Sequence, residues 1–91
     1  MITFKQAIEA SRQAVREMFG NIPTDVEEIE VEDYHDRECW AITLSLYRDA
    51  SENLAAIVGK NSLAKDYKRF YVSRETGEVL GVVIREVAVG W

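Results

Sequence analysis

A lone histidine and a lone cysteine, His35 and Cys39, stand four residues apart in a chain of 91 residues. Such a pair invites nucleophilic chemistry, with a thiolate attacking and an imidazole taking the proton. A thiolate forms near neutral pH only in an electropositive setting. Cys39 instead follows Asp36 and Glu38, whose charges would raise its pKa. The reading favoured is a solvated turn histidine and a sheet cysteine that alkylates slowly at neutral pH.

Carboxylates are the second candidate chemistry. Asp25, Glu27, Glu28, Glu30, Glu32, Asp33, Asp36 and Glu38 are half of the sixteen acids, packed into one short span. A hard cation needs several oxygens converging on one point. A strand instead spreads its alternate side chains about 7 Å apart along a line. The spacing does not match an EF-hand loop. A solvated face is therefore favoured over a surface for a basic partner, and both over a metal site. Lys60, Lys65, Lys68, Arg69 and Arg74 form a local basic excess further on. They read as solubilising charge, with self-association through opposite patches as the alternative; surface ion pairs contribute little each. Trp40, Tyr47, Phe70 and Tyr71 read as core or cross-strand pairs before they read as pocket linings.

Composition narrows the classes further. A chain this short makes one domain, 1–91, and buries only about 60–65% of its unfolded surface. Hydrophobic content of 47% and charged content of 30% are those of an ordinary globular protein. A net charge of −5 argues against general nucleic-acid binding, which needs cations to displace counterions from phosphate. One cysteine makes no internal disulfide. The first residues lack a basic then apolar leader, and no apolar run reaches about 18 residues, so no membrane association and a cytoplasmic location are expected. No Gly-rich phosphate loop, metal-ligand cluster or Ser-His-Asp set is present, so no cofactor and no enzymatic activity are expected.

These residues must be positioned by a small set of elements. Thr3 with Gln6 three residues on is a capping-box pattern. Phe4, Ile8, Ser11, Val15 and Met18 then recur at helical spacing, widened by Ala7, Ala14 and Phe19, which predicts a helix over 3–19. Gly20 and Pro23 end it. Residues 26–34 alternate Ile29 and Val31 with Glu28, Glu30 and Glu32, predicting a strand with one buried and one acidic face. His35 to Glu38 reads as the turn. In residues 39–48, Trp40, Ile42, Leu44 and Leu46 point one way and Ala41, Thr43, Ser45 and Tyr47 the other. Residues 49–66 break the sheet pattern, with a short helical piece over 52–58. Residues 67–72 and 79–87 form a closing hairpin around Glu75-Thr76-Gly77-Glu78. Leu80, Val82 and Ile84 are expected to face the helix, and Gly81 leaves a thin spot on the other face or marks a bulge. The order α-β-β-insert-β-β predicts an α+β fold, one N-terminal helix on one face of a four-stranded antiparallel sheet. The other face carries Thr43, Ser45, Tyr47, Arg69 and Tyr71.

The segment Tyr71-Val72-Ser73-Arg74-Glu75-Thr76-Gly77-Glu78-Val79-Leu80 resembles the closing hairpin of PepSY-like domains, with Ser73 where that family usually has Asp. The resemblance implies an N-terminal helix followed by antiparallel strands, and a role in inhibiting or regulating peptidases.

The function these features favour is non-enzymatic: a small regulatory domain of inhibitor, immunity or accessory type, working through another protein or a second copy of itself. Leu54, Ile57 and Val58 of the insert, Tyr47 and Tyr71 of the open face, and Trp91 are the candidate partner surface, with a sheet edge as a further possibility. The insert either meets a partner or folds back over the open sheet face. The alternative is a small-ligand domain or minor enzyme with a cavity between sheet and helix, lined by Trp40 and Tyr71.

Overall fold

A computed structural model describes residues 1–47 and 65–84 of the chain. Helix α1, Phe4–Phe19, lies against a four-stranded antiparallel sheet of β1 (Thr24–Tyr34), β2 (Arg37–Tyr47), β3 (Lys65–Ser73) and β4 (Val79–Ile84). The strands follow in spatial order β1-β2-β3-β4, so β1 and β4 are the edges. The expected α+β architecture is thus the one observed. The helical piece expected over 52–58, and Leu54, Ile57, Val58 and Trp91, lie outside the described residues.

The start of α1 is fixed reciprocally. The Thr3 backbone N–H donates to Gln6 Oε1 at 2.8 Å, and the Gln6 N–H donates to Thr3 Oγ1 at 3.2 Å. Gly20, at φ 88°, ends the helix with its N–H on the Arg16 carbonyl. The residues that α1 buries are small: Ala7, Ser11 and Val15, one turn apart. Ser11 is tolerated there because its hydroxyl donates to the Ala7 carbonyl at 2.9 Å. Phe4, Met18 and Phe19, expected in the same stripe, are 42–49% exposed. Small side chains bring the helix close to the sheet, and the bulkier ones run off its flanks. Phe4 meets the Trp40 ring edge-on, and Lys68 sits over the Phe19 ring.

The core joins Ala7 and Val15 to Ile42, Leu44 and Leu46 of β2 and Phe70 and Val72 of β3. One helix is about 10–12 Å across, whereas four strands at about 4.8 Å spacing are nearly twice that. Among the described residues the edges therefore lie beyond the cover of α1. Ile29 and Val31, expected on a buried face, are 41% and 47% exposed. Three boundaries also shift. The β1–β2 turn is only His35-Asp36, both left-handed (φ 50° and 64°), so β2 begins at Arg37 and not after Glu38. Lys65 and Asp66, expected in the insert, already belong to β3. A register shift seats Tyr71 opposite Gly81 and Val72 opposite Val79, with Leu80 as the extra residue. Val79 and Val82 consequently pack on the core, correcting the expectation that Leu80 leads the helix-facing set.

The β3–β4 turn explains the serine of the hairpin. Ser73 Oγ accepts from the N–H groups of Glu75 and Thr76, at 3.3 and 3.2 Å. A serine thereby does what an aspartate does in an Asx turn. Gly77, at φ 80°, supplies the left-handed residue.

Candidate functional site

Among the described residues no element covers the sheet face opposite α1. Arg69 is its centre. It sits mid-β3, opposite Thr43 of β2, which is opposite Glu28 of β1. Its stem lies over β2, and its fork reaches the far strand. Nε donates to Thr43 Oγ1 at 3.2 Å, Nη1 to Glu32 at 2.5 Å, and Nη2 to Glu28 and Glu30 at 2.9 and 3.2 Å. The Arg69 side chain is 10% exposed, its three carboxylate partners 37–50%. Burial acts to lower the Arg69 pKa; hydrogen bonds with Glu28 and Tyr71 and the charges of Glu32 and Glu30 outweigh it and hold it above the ordinary value. Arg69 is accordingly a fixed cation at any accessible pH.

Hydroxyls also hold four acids of β1, two of them shared with Arg69. Thr43 donates to Glu28 at 3.0 Å, Ser45 to Glu27 at 2.7 Å, Tyr47 to Asp25 at 2.5 Å and Tyr71 to Glu32 at 3.5 Å. A bulge between Val26 and Glu28 makes this possible. It interrupts the alternation, so Glu27 and Glu28, neighbours in sequence, both reach the open face. Tyr34 completes the layer. Its ring stacks on Tyr71 with centroids 4.4 Å apart and planes 12° from parallel. It also occupies the space above Gly81, where any Cβ would overlap the Tyr34 hydroxyl and ring. Both expectations for Gly81 hold: it is the thin spot and it adjoins the bulge.

The acidic run keeps solvent contact, as expected, but part of it is not a simple row. Glu28, Glu30 and Glu32 converge, because the guanidinium comes to them from two strands away. The same geometry corrects the reading of Arg69 as solubilising charge. The basic excess is divided: Lys68 faces the helix side, Arg69 the open side, and Arg74 pairs with Glu38 at 3.2 Å while lying over the Trp40 ring. Lys60 lies outside the described residues. Of the candidate partner residues, Tyr47 and Tyr71 stand on the open face, half-buried and engaged with Asp25 and Glu32. Tyr34 was missing from the sequence candidates, and Arg69 was placed on the open face but read only as solubilising charge. Gly81, an unfilled position opposite Tyr71, was the signal for Tyr34. Arg69, a mid-strand cation between Tyr67 and Tyr71 on the open face and two strands from the acidic one, was the signal for the network.

The chemically suggestive residues are placed apart in character. His35 is exposed at the tip of the turn, edge-on to Tyr34. Cys39 is fully buried, opposite Glu32 and Ser73. Burial pushes its thiol up; Arg37 works against this and Asp33 with it. The direction agrees with the sequence argument, but burial is the leading cause and Asp33 the acid involved. Trp40 and Tyr71 lie on opposite faces, Trp40 donating through Nε1 to the Ile2 carbonyl. They therefore do not line one sheet–helix cavity. A polar pocket of about 160 Å³ lies instead at the turn end, lined by Met1, Asp36, Arg37, Glu38, Ser73 and Glu75. Among the described residues no cluster of three or more His, Cys, Asp or Glu is arranged for a metal ion, and no helix is long and apolar enough to cross a membrane.

Comparison with protein-family models, with curated proteins and with solved structures finds no match to this chain.

Proposed function

We propose that this chain is a small non-enzymatic protein-binding domain, and that its open sheet face receives a partner with a basic surface. The observation that carries the reading is the ordered acid–tyrosine layer around Arg69. Asp25, Glu27, Glu28, Glu30 and Glu32 share that face with two described guanidiniums, Arg69 and Arg37, so anionic groups are in excess. Their bonds to hydroxyls and to Arg69 hold the carboxylates in place before a partner arrives, which reduces the entropy lost on binding. Tyrosine and arginine are the side chains that interfaces favour, and a one-signed field steers a complementary partner. An inhibitor, immunity-type or accessory regulatory role fits such a surface, and the likeness of the hairpin to PepSY-like domains supports the same direction.

The test is affinity capture on the immobilised chain, comparing wild type with the double variant Glu27→Gln/Glu30→Gln. The expected outcome is retention of basic proteins by wild type, weakened by the double variant and released at about 0.5 M salt, where the screening length falls to a few ångströms. Retention indifferent to both salt and the substitutions contradicts the proposal.

A further inference from the structure

We infer that the docking strand is the free edge of β1, and that its occupant is an extended segment of another protein whose side chains alternate basic and apolar. This rests on the protein-binding reading and specifies its mode.

The backbone supplies the first observation. β1 is an edge strand of eleven residues. Tyr34 and Arg37 flank a two-residue turn, so they form a hydrogen-bonded pair of the β1–β2 ladder. Alternation from that pair turns the amides of Glu28, Glu30 and Glu32 toward β2, and those of Ile29, Val31 and Asp33 outward. Among the described residues no strand pairs with that outer edge.

The side chains supply the second. Natural sheets protect their edges with charge, proline or strong twist. Here the glutamates that would guard β1 are drawn inward over the sheet by Arg69. The residues whose amides point outward include Ile29 and Val31, whose apolar side chains are 41% and 47% exposed on the helix side. The edge thus offers free backbone groups and a bare apolar flank together.

The chemistry of the occupant follows from continuing both faces by one strand. Its side chains on the helix side meet Ile29 and Val31, so they are apolar. Those on the open side come beside Glu30 and Glu32, so they are Lys or Arg. A second copy of β1 would instead bring its own glutamate row against this one, and like charges directly opposite are destabilising. Strand addition with alternating pockets is a recurrent mode of peptide recognition.

The experiment uses the full chain, ¹⁵N-labelled, titrated with a short peptide alternating lysine and valine. A peptide of the same composition in two blocks and one alternating glutamate and valine serve as controls. The alternating Lys/Val peptide is expected to slow hydrogen exchange at Ile29, Val31 and Asp33 by at least about tenfold, as new ladder bonds must open first. Val31→Pro removes an outward amide without touching the β1–β2 ladder, and is expected to abolish binding while the rest of the spectrum stays in place. Val31→Lys, which keeps the backbone amide, is expected to weaken binding and serves if the proline variant fails to fold. Equal binding of the block peptide, or no binding of the alternating one, overturns the inference. So does slow exchange at these amides in the free chain, whether at all concentrations (the chain covers its own edge) or only at high concentration (a second copy). Shifts confined to Tyr34, Tyr67 and Tyr71 overturn the edge mode while leaving the protein-binding reading intact.

Discussion

Strand β2 is buried on both sides, by opposite means. On the helix side Ile42, Leu44 and Leu46 are 0–3% exposed beneath α1, in an apolar layer with Phe70 and Val72. On the open side Ala41, Thr43 and Ser45 are 0–1% exposed, yet no element covers them among the described residues. What excludes water there is a lattice of long polar and aromatic side chains: Arg69, the glutamates of β1, Tyr34 and Tyr71. The first layer is held by non-directional burial, roughly 25 cal/mol per Å² of apolar surface. The second is held by directional, charge-assisted bonds between partly solvated groups, each worth less net but fixed in geometry. Among the described residues a single helix closes one face, and charged and aromatic side chains close the other. A face closed that way remains polar outward.

Substitutions on the two sides should separate these mechanisms. The largest effect is expected on the helix side: Phe70→Ala should destabilise by about 3–5 kcal/mol in urea titration, through lost burial and the cavity left behind. Arg69→Leu should follow, at about 1–3 kcal/mol, because three carboxylates lose their common cation; their partial exposure keeps the figure below that of a fully buried pair. Unlike the Phe70 effect, it should shrink in acid, where the carboxylates are neutral. An Arg69→Leu protein as stable as wild type would reduce the open-face lattice to ornament. Gly81→Ala should destabilise by about 1–3 kcal/mol by displacing Tyr34. In the double variant Tyr34→Ala/Gly81→Ala the effects should be less than additive.

Two smaller effects sharpen the comparison. Folding raises the Cys39 pKa from its ordinary 9.0 by burial, so above about pH 9 the native state binds more protons than the unfolded chain. Stability should therefore fall with rising pH in that range, less so in Cys39→Ala, and alkylation at neutral pH should be slow. Thr3→Ala should destabilise by about 1 kcal/mol through the lost cap, whichever face dominates.

The helix side was largely legible in the sequence because burial leaves a period. Thr3 with Gln6, the helical stripe, and the alternation of Trp40, Ile42, Leu44 and Leu46 each have a local signature. The open side was half legible. Thr43, Ser45, Tyr47, Arg69 and Tyr71 were placed on it by alternation, but alternation says nothing of which residues on different strands touch. The convergence of Glu28, Glu30 and Glu32 depends on register across three strands and on a bulge at Val26/Glu28 with no strong local mark. The same holds for Leu80, where an extra residue moved Val79 to the core side. The exposure of Ile29 and Val31 follows from the width of one helix against four strands, a tertiary quantity.

The open face depends on the Arg69 guanidinium being locked among Thr43, Glu28, Glu30 and Glu32. The direct measurement is the ¹⁵N spectrum of arginine side chains near neutral pH. A sharp, slowly exchanging Arg69 Nε–Hε resonance is expected, with its Nη groups resolved by hindered rotation, both lost in Glu28→Gln/Glu32→Gln. An Arg69 signal that exchanges and rotates as freely as that of Arg37, an exposed arginine beside the β1–β2 turn, would contradict this.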